Sequence, residues 1–93
     1  MSDVLRRQAR ATIINKRGLH ARASAKLVEA AARFKSEITV SKDGQTVDAR
    51  SIMGLMMLAA SNGSSIELVA EGEDAEQAIT AILALVEAKF GEE

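Results

Sequence analysis

The stretch EITVSKDGQTVD, residues 37–48, decides how this chain is expected to fold. Ile38 and Val40 alternate with polar residues, which is typical of a strand that is buried on one side. Asp43 and Gly44 then give the strongest short hairpin signal of the sequence, and the residues after them form a short returning strand. The centre of the chain is therefore predicted to be an antiparallel hairpin.

On both sides of this hairpin, further segments have the spacing of helices or strands. The pattern predicts a strand over residues 9–14, a helix over 21–34, a helix over 51–60, a strand over 66–70 and a last helix from Asp74, in a capping box with Gln77, to Phe90. The order is β-α-β-β-α-β-α. Right-handed crossovers, with one strand slotted between a parallel pair, then predict an α+β open-faced sandwich. Its four-stranded, mainly antiparallel sheet would carry three helices on one face and leave the other to solvent.

Length and composition narrow the function classes. At 93 residues the chain is expected to be one domain, residues 1–93. Its 12 basic and 13 acidic side chains nearly balance, and its only aromatic residues are Phe34 and Phe90. The balanced charge argues against a nucleic acid or an anionic membrane as the main partner. With two aromatic residues, the chain also lacks a stacking platform for single-stranded nucleic acid.

The cysteine and histidine content and the N-terminal residues exclude further classes of site and location. The chain has no cysteine and one histidine, which argues against thiol catalysis and against a zinc site. We therefore expect neither a metal nor a cofactor. No apolar run follows Arg6 and Arg7, so no signal peptide or membrane anchor is indicated, and a cytoplasmic location is expected.

The single histidine stands in the run NKRGLHAR, residues 15–22, where a loop becomes a helix. Gly18 permits backbone angles closed to other residues and lets a ligand approach the main chain. The first N–H groups of a helix and its positive dipole end form an anion site, in which Ala23 adds an N–H and Arg22 adds a fork of donors. A neutral imidazole is a nucleophile for phosphate, which makes His20 the candidate acceptor there. On position alone, a helix cap or a surface residue is an equal alternative.

Residues 51–60, SIMGLMMLAA, are apolar almost throughout. Ser51 is the expected cap of this short helix. Because one face of so short a helix can be core, Leu55 and Leu58 are predicted to point inward. Three other large residues, Ile52, Met53 and Met56, would then be at least partly exposed as an adaptable docking surface. A fully buried core helix is the alternative.

The residues from Asn15 to Arg22, the run SIMGLMML at 51–58 and the order of elements together resemble HPr, the histidine phosphocarrier family of the phosphoenolpyruvate-dependent phosphotransferase system. The resemblance covers nearly the whole chain. It implies that His20 accepts a phosphoryl group on Nδ1 from phosphorylated Enzyme I and passes it to a histidine of an EIIA-type protein, with Arg22 helping to hold the group. The protein would be a monomeric carrier and not an enzyme in its own right.

The resemblance also assigns roles to the second motif. Ser51 matches the family's regulatory serine, the substrate of a dedicated HPr kinase/phosphorylase in some bacteria. Beside Arg50, a phosphate there is expected to be favoured by charge. The apolar residues Ile52, Met53 and Met56 match the family's docking face.

Two departures from the family pattern bear on partners and rate. Ala23 stands where the family usually has proline, which predicts a looser first turn. Glu29 and Ala32 replace frequent lysines, so docking to Enzyme I is expected to be weaker or tuned to a paralogue. The sugar-uptake branch and the nitrogen-related regulatory branch therefore both stay open.

Two function classes compete with the carrier. One is an acylphosphatase-like enzyme, in which His20 is incidental. The other is a protein-interaction module that is not phosphorylated, in which His20 only caps a helix.

Overall fold

The elements follow the predicted order. The computed structural model describes residues 5–92. In that part of the chain lie β1 (Arg6–Thr12), α1 (Ala21–Ala31), β2 (Glu37–Lys42), β3 (Gln45–Asp48), α2 (Ile52–Met57), β4 (Ser65–Glu71), α3 (Ala75–Glu87) and a 3₁₀ turn (Lys89–Gly91). None of the helices formed by these residues has the length and apolar character needed to cross a bilayer.

The four strands form one sheet in the order β1-β4-β2-β3, and each hydrogen-bonded pair is antiparallel. Leu68 of β4 lies opposite Ala9 of β1 and also opposite Val40 of β2. β4 therefore separates β1 and β2, which run parallel to each other. This arrangement confirms the slotted-strand prediction.

The central hairpin turns at Asp43 and Gly44, where φ is 52° and 82°. Two successive positive φ angles are the signature of the type I′ turn, whose twist matches that of the flanking strands. Lys42 and Gln45 consequently lie directly opposite each other at the ends of β2 and β3. The predicted hairpin and the predicted third strand are both confirmed.

The core lies between one face of the sheet and the helices. Alternate strand residues point into it and are buried, as the period-2 pattern requires: Ala11, Ile38, Val40, Ile66, Leu68 and Ala70. Leu27 of α1, Leu55 of α2 and Ile82 of α3 pack against them and have no exposed surface. The three helices therefore cover one face, as the open-faced sandwich predicts.

Several boundaries differ from the sequence-based expectation. The strand predicted over 9–14 starts earlier, because β1 pairs with β4 along its whole length, from Arg6 opposite Glu71 to Thr12 opposite Ser65. The first helix ends at Ala31 rather than at residue 34. Phe90 is buried as predicted but lies beyond the end of α3.

The predicted capping box of α3 is wrong. The Asp74 side chain makes no cap hydrogen bond to its own helix. It instead accepts hydrogen bonds from the Lys35 N–H at 2.9 Å, from the Ser36 N–H at 3.0 Å and from the Ser36 hydroxyl at 2.5 Å. These three donors lie between α1 and β2, so Asp74 ties the start of α3 to that loop.

Candidate functional site

His20 is the N-cap of α1. Its backbone is extended, with φ −74° and ψ −178°, and its carbonyl accepts the first helical hydrogen bond, from the Ser24 N–H at 2.8 Å. The residue before it, Leu19, donates its N–H to the Ala60 carbonyl at 2.9 Å. The helix start is thus fixed against the loop that follows α2.

Gly18 is required here for packing between two loops. Its φ is +66°, and a Cβ at this position would lie 2.4 Å from the Ala60 carbonyl oxygen and 2.8 Å from the Ser61 Cα. Gly18 therefore adopts a backbone conformation that its missing side chain permits, as predicted. The close approach is made by the loop at residues 60–61, however, and not by the ligand that we expected.

The two ring nitrogens of His20 have different neighbours. Nδ1 accepts a hydrogen bond from the Arg22 N–H at 3.3 Å. Nε2 contacts a carboxylate oxygen, Oε2, of Glu92. The side chains of His20 and Glu92 are each 18 % exposed, so the pair is shielded but still reachable from solvent.

Asn15 supports this pair from beneath. It is 1 % exposed, and its Nδ2 donates to the Gly18 carbonyl at 2.8 Å and to Glu92 Oε1 at 3.1 Å. Hydrogen bonds from His20 and Asn15, together with the positive charge of Arg17, hold the pKa of the Glu92 carboxyl below its ordinary value. Glu92 is therefore a carboxylate at neutral pH.

Arg22 and Ala23 differ in accessibility. The Arg22 side chain is exposed, and its guanidinium makes no hydrogen bond or ion pair with any of residues 5–92, so no residue in that range competes with an anion for its donors. Ala23 is fully buried. In this conformation its N–H is closed to solvent, which does not support the predicted contact between Ala23 and phosphate.

The apolar residues predicted for α2 and for its C-terminal end divide as expected between core and surface. Leu55 and Leu58 are buried, whereas Ile52, Met53 and Met56 are 41 %, 74 % and 44 % exposed. We call these three exposed residues the apolar patch. The alternative of a fully buried helix is wrong. Met56 also lines a shallow groove together with His20 and Arg17, so the patch adjoins the imidazole.

Ser51 caps α2, as predicted. Its hydroxyl accepts a hydrogen bond from the Gly54 N–H at 2.9 Å. Arg50, in contrast, donates from its guanidinium to the carbonyls of Phe34 at 2.8 Å and Ser36 at 3.2 Å. Its Nη2 is therefore bound to the loop after α1, and the expectation that Arg50 attracts a phosphate on Ser51 stays a prediction.

Sequence reasoning missed Asn15, Arg17 and Glu92 as members of the site. The first two lie in the run that contains His20, and a buried asparagine there could have been suspected from the turn that it begins. Glu92 is 72 residues from His20. No local pattern signals that contact, because it depends on where the 3₁₀ turn places the chain. Within residues 5–92, no group of three histidine, cysteine or acidic side chains could hold a metal ion.

The family model and the relatives that match this chain all indicate the same protein family. Residues 7–88 match the family model described as the PTS HPr component phosphorylation site. The chain is 56 % identical over 81 residues to the phosphocarrier protein HPr of Cupriavidus necator, covering 87 % of this chain and 91 % of that protein. It is 48 % identical over 81 residues to the phosphocarrier protein NPr of Shewanella violacea, covering 87 % and 89 %.

A solved structure supports the same family. The crystal structure of HPr-C-His from Thermoanaerobacter tengcongensis superposes with a TM-score of 0.90 at 49 % identity, over 94 % of this chain and 98 % of that one. The likeness therefore includes the fold as well as the sequence.

Proposed function

This chain belongs to the HPr family of phosphocarrier proteins of the phosphotransferase system, and on that premise we propose that His20 is its phosphoryl acceptor. The group would arrive from phosphorylated Enzyme I and leave to a histidine of an EIIA-type protein. The chain would work as a monomeric carrier in the cytoplasm, and catalysis would come mainly from the alignment of His20 with its partners' reacting groups.

The observation that carries this proposal is the environment of His20 Nδ1. That nitrogen faces the first turn of α1, where it accepts the Arg22 N–H. A phosphoryl group on Nδ1 would take over this donor and would meet the positive end of the helix. The exposed guanidinium of Arg22 would bind its oxygens.

The apolar patch supports the choice of protein partners. It adjoins His20 through the groove that Met56 lines. A partner that covers Ile52, Met53 and Met56 would therefore bring its own reacting group close to the imidazole. The patch serves donor and acceptor alike, since flexible methionines adapt to different surfaces.

Ser51 is proposed as a second phosphorylation site, for a kinase of the HPr kinase/phosphorylase type. Ser51 lies at the start of α2 and is half-buried. A phosphate there would add charge directly beside the apolar patch. The modification would therefore slow exchange with Enzyme I without altering the fold.

The test is incubation of the chain with Enzyme I and labelled phosphoenolpyruvate. Label should appear on the wild type, should be lost in acid and should survive alkali, as expected for a phosphoramidate. His20→Ala should abolish labelling while circular dichroism stays unchanged. Labelling that persists in this variant would overturn the proposal, and release of free phosphate without any partner would favour an acylphosphatase-like enzyme.

A parallel assay addresses the branch. Enzyme I of the sugar system and its nitrogen-related paralogue are compared as donors at equal concentration. Glu29 on α1 and Ala32 directly after it predict a clear difference in rate between the two donors, since they change the charge along the helix that His20 begins. Equal rates would show that these positions do not select the donor.

A further inference from the structure

The site contains a carboxylate that the phosphocarrier mechanism above does not use. Glu92 follows the 3₁₀ turn Lys89–Gly91, and its two carboxylate oxygens have different partners. Oε2 contacts His20 Nε2, and Oε1 accepts from Asn15 Nδ2 at 3.1 Å. The glutamate therefore bridges the imidazole and a buried amide.

The turn that presents Glu92 is itself held in place. Phe90 is 1 % exposed and belongs to the buried core. The Lys26 amine on α1 donates to the Phe90 carbonyl at 2.8 Å. Both contacts anchor the turn to the elements that carry His20, so the position of Glu92 is determined by tertiary structure.

Asn15 is equally constrained. Its Nδ2 is shared between the Gly18 carbonyl, at 2.8 Å, and Glu92. This fixes which end of the amide faces the glutamate, because both acceptors require the NH₂ group. The chain of contacts therefore runs from the loop backbone through Asn15 and Glu92 to the imidazole.

We propose that Glu92 is a positioning residue for His20, which holds the ring proton on Nε2 and leaves the lone pair on Nδ1. A carboxylate only accepts hydrogen bonds, so Nε2 must donate to it. The Arg22 N–H on the other side requires an acceptor, and Nδ1 supplies it. Both neighbours thus select the same tautomer.

This inference rests on the proposed function for its consequence in phosphoryl transfer. As Nδ1 attacks, a bond forms between Nδ1 and phosphorus, while the bond from phosphorus to the donor breaks and its electron pair stays with the donor. The proton remains on Nε2, and the ring becomes a cation beside Glu92. When the group is passed on, the electron pair of the N–P bond returns to Nδ1 and no proton has moved.

The carboxylate would therefore assist both directions. It stabilises the cationic phosphorylated ring, and it keeps Nε2 protonated so that the leaving group is neutral imidazole. Asp in the catalytic triad of serine proteases orients histidine by the same physical means. Arg17 lies near enough to lower the pKa of Glu92 and so helps to keep it ionised.

The decisive experiment uses the unphosphorylated protein with ¹⁵N-labelled histidine. In the wild type we expect a protonated Nε2 whose hydrogen exchanges slowly with water, and an unprotonated Nδ1. Glu92→Ala should make the Nε2 hydrogen exchange at least about tenfold faster. Glu87→Gln is the matched control, since Glu87 is an exposed glutamate of α3 with no side-chain hydrogen bond to the described residues. A wild-type proton on Nδ1, or exchange unchanged in Glu92→Ala, would overturn the inference.

A second measurement reads the transfer step. Glu92→Gln keeps the shape and removes the charge, so the rate constant for transfer from Enzyme I should fall roughly tenfold, the effect of a hydrogen bond to a charged group. Glu92→Asp should recover part of the rate, whereas Glu87→Gln should equal the wild type. A Glu92→Gln rate equal to the wild type would contradict the assisting role.

The two proposals fail in distinguishable ways. If His20 accepts no label but its Nε2 hydrogen is protected by Glu92, the phosphocarrier function is wrong and the positioning contact stands. If His20 is labelled at the same rate in all variants and its Nε2 hydrogen is unprotected, the function stands and the role of Glu92 is wrong.

Discussion

His20 shows how a single side chain receives two opposite kinds of neighbour. On one side the Arg22 N–H, at the start of a helix, offers a donor to Nδ1. On the other side Glu92 offers an acceptor to Nε2. The Nδ1 edge of the ring therefore faces a donor that can bind an anion, and the Nε2 edge faces a carboxylate that holds a proton. A phosphoryl carrier needs this arrangement.

Arg22 is expected to stabilise charge on the phosphoryl group, because it is exposed and its backbone N–H already contacts that edge of the ring. Arg22→Ala should slow transfer from Enzyme I by one to two orders of magnitude, about 1.4 to 2.7 kcal/mol. Arg22→Lys should restore only part of the rate, because lysine cannot bind bidentately. Rapid-quench measurement of labelled transfer checks both variants.

Arg33→Ala is the control for this prediction. Arg33 is also exposed, and it lies past the opposite end of α1 from His20. Its loss changes the net charge equally, so a general electrostatic effect on docking would slow both variants alike. An Arg22→Ala rate that matches Arg33→Ala would remove Arg22 from the site.

How much of the site was predictable depended on sequence distance. His20 and Arg22 stand in one run, where the glycine and the helix start give a physical reason to expect an anion site. Ala23 directly follows that run, but its burial depends on the packing of α1 and could not be deduced from spacing. Glu92 contacts His20 only because a turn with Phe90 in the core returns the chain, and no periodic pattern encodes such a contact.

At the scale of elements, α2 combines a cap with an exposed apolar face. Ser51 satisfies the Gly54 N–H at the start of this six-residue helix. Ser51→Ala should therefore cost about 1 kcal/mol of unfolding free energy and leave phosphoryl transfer unchanged. Ser51→Asp should keep the cap, because aspartate is an equally good N-cap residue.

The rate of phosphoryl transfer distinguishes a regulatory role of Ser51 from a role as helix cap alone. The charge of Ser51→Asp would lie beside the apolar patch, while Nη2 of Arg50 is bound to the carbonyls of Phe34 and Ser36. We therefore expect slower labelling of His20 by Enzyme I, with an unchanged melting temperature. Labelling as fast as in the wild type would mean that Ser51 is only a cap.

The patch itself is tested by a charge at its most exposed member. Met53 is 74 % exposed, so Met53→Glu should change the unfolding free energy by at most about 0.5 kcal/mol, a shift of about 2–4 °C in melting temperature. Binding to Enzyme I should weaken about tenfold or more, because the charge must be desolvated in the complex. Calorimetric titration measures the affinity.

Thr80→Glu provides the comparison for the patch. Thr80 is exposed on α3 and lies outside the patch, so the same charge there should leave the affinity for Enzyme I unchanged. Equal loss of affinity in the two variants would point to overall charge. A large fall in the melting temperature of Met53→Glu would show that the methionine contributes to the core.

For the whole molecule, the topology was predictable because each strand carries its own alternating pattern and the hairpin fixes one pairing. The remaining pairings follow from the handedness of the crossovers. The side-chain hydrogen bonds between elements that are distant in sequence were not predictable. Asp74 has the residue type and the spacing of a helix cap, yet its side chain accepts from Lys35 and Ser36 in the loop after α1 and makes no cap hydrogen bond to its own helix.

Asp74 makes the stability of the whole fold sensitive to acid. The hydroxyl of Ser36, then the N–H of Lys35 and the N–H of Ser36, hold the pKa of this carboxyl below its ordinary value. A carboxyl with a lowered pKa in the folded state contributes stability at pH values above its pKa in the unfolded state, about 4, and that contribution is lost as the pH falls through its pKa in the folded state.

Asp74→Asn should therefore be less stable than the wild type at pH 7, and the difference should shrink steadily as the pH falls below about 4. Chemical unfolding from pH 7 to pH 2 measures this, with Asp43→Asn, at the exposed tip of the hairpin, as the control. A deficit in Asp74→Asn that stays constant with pH would show that the carboxylate charge does not stabilise this link.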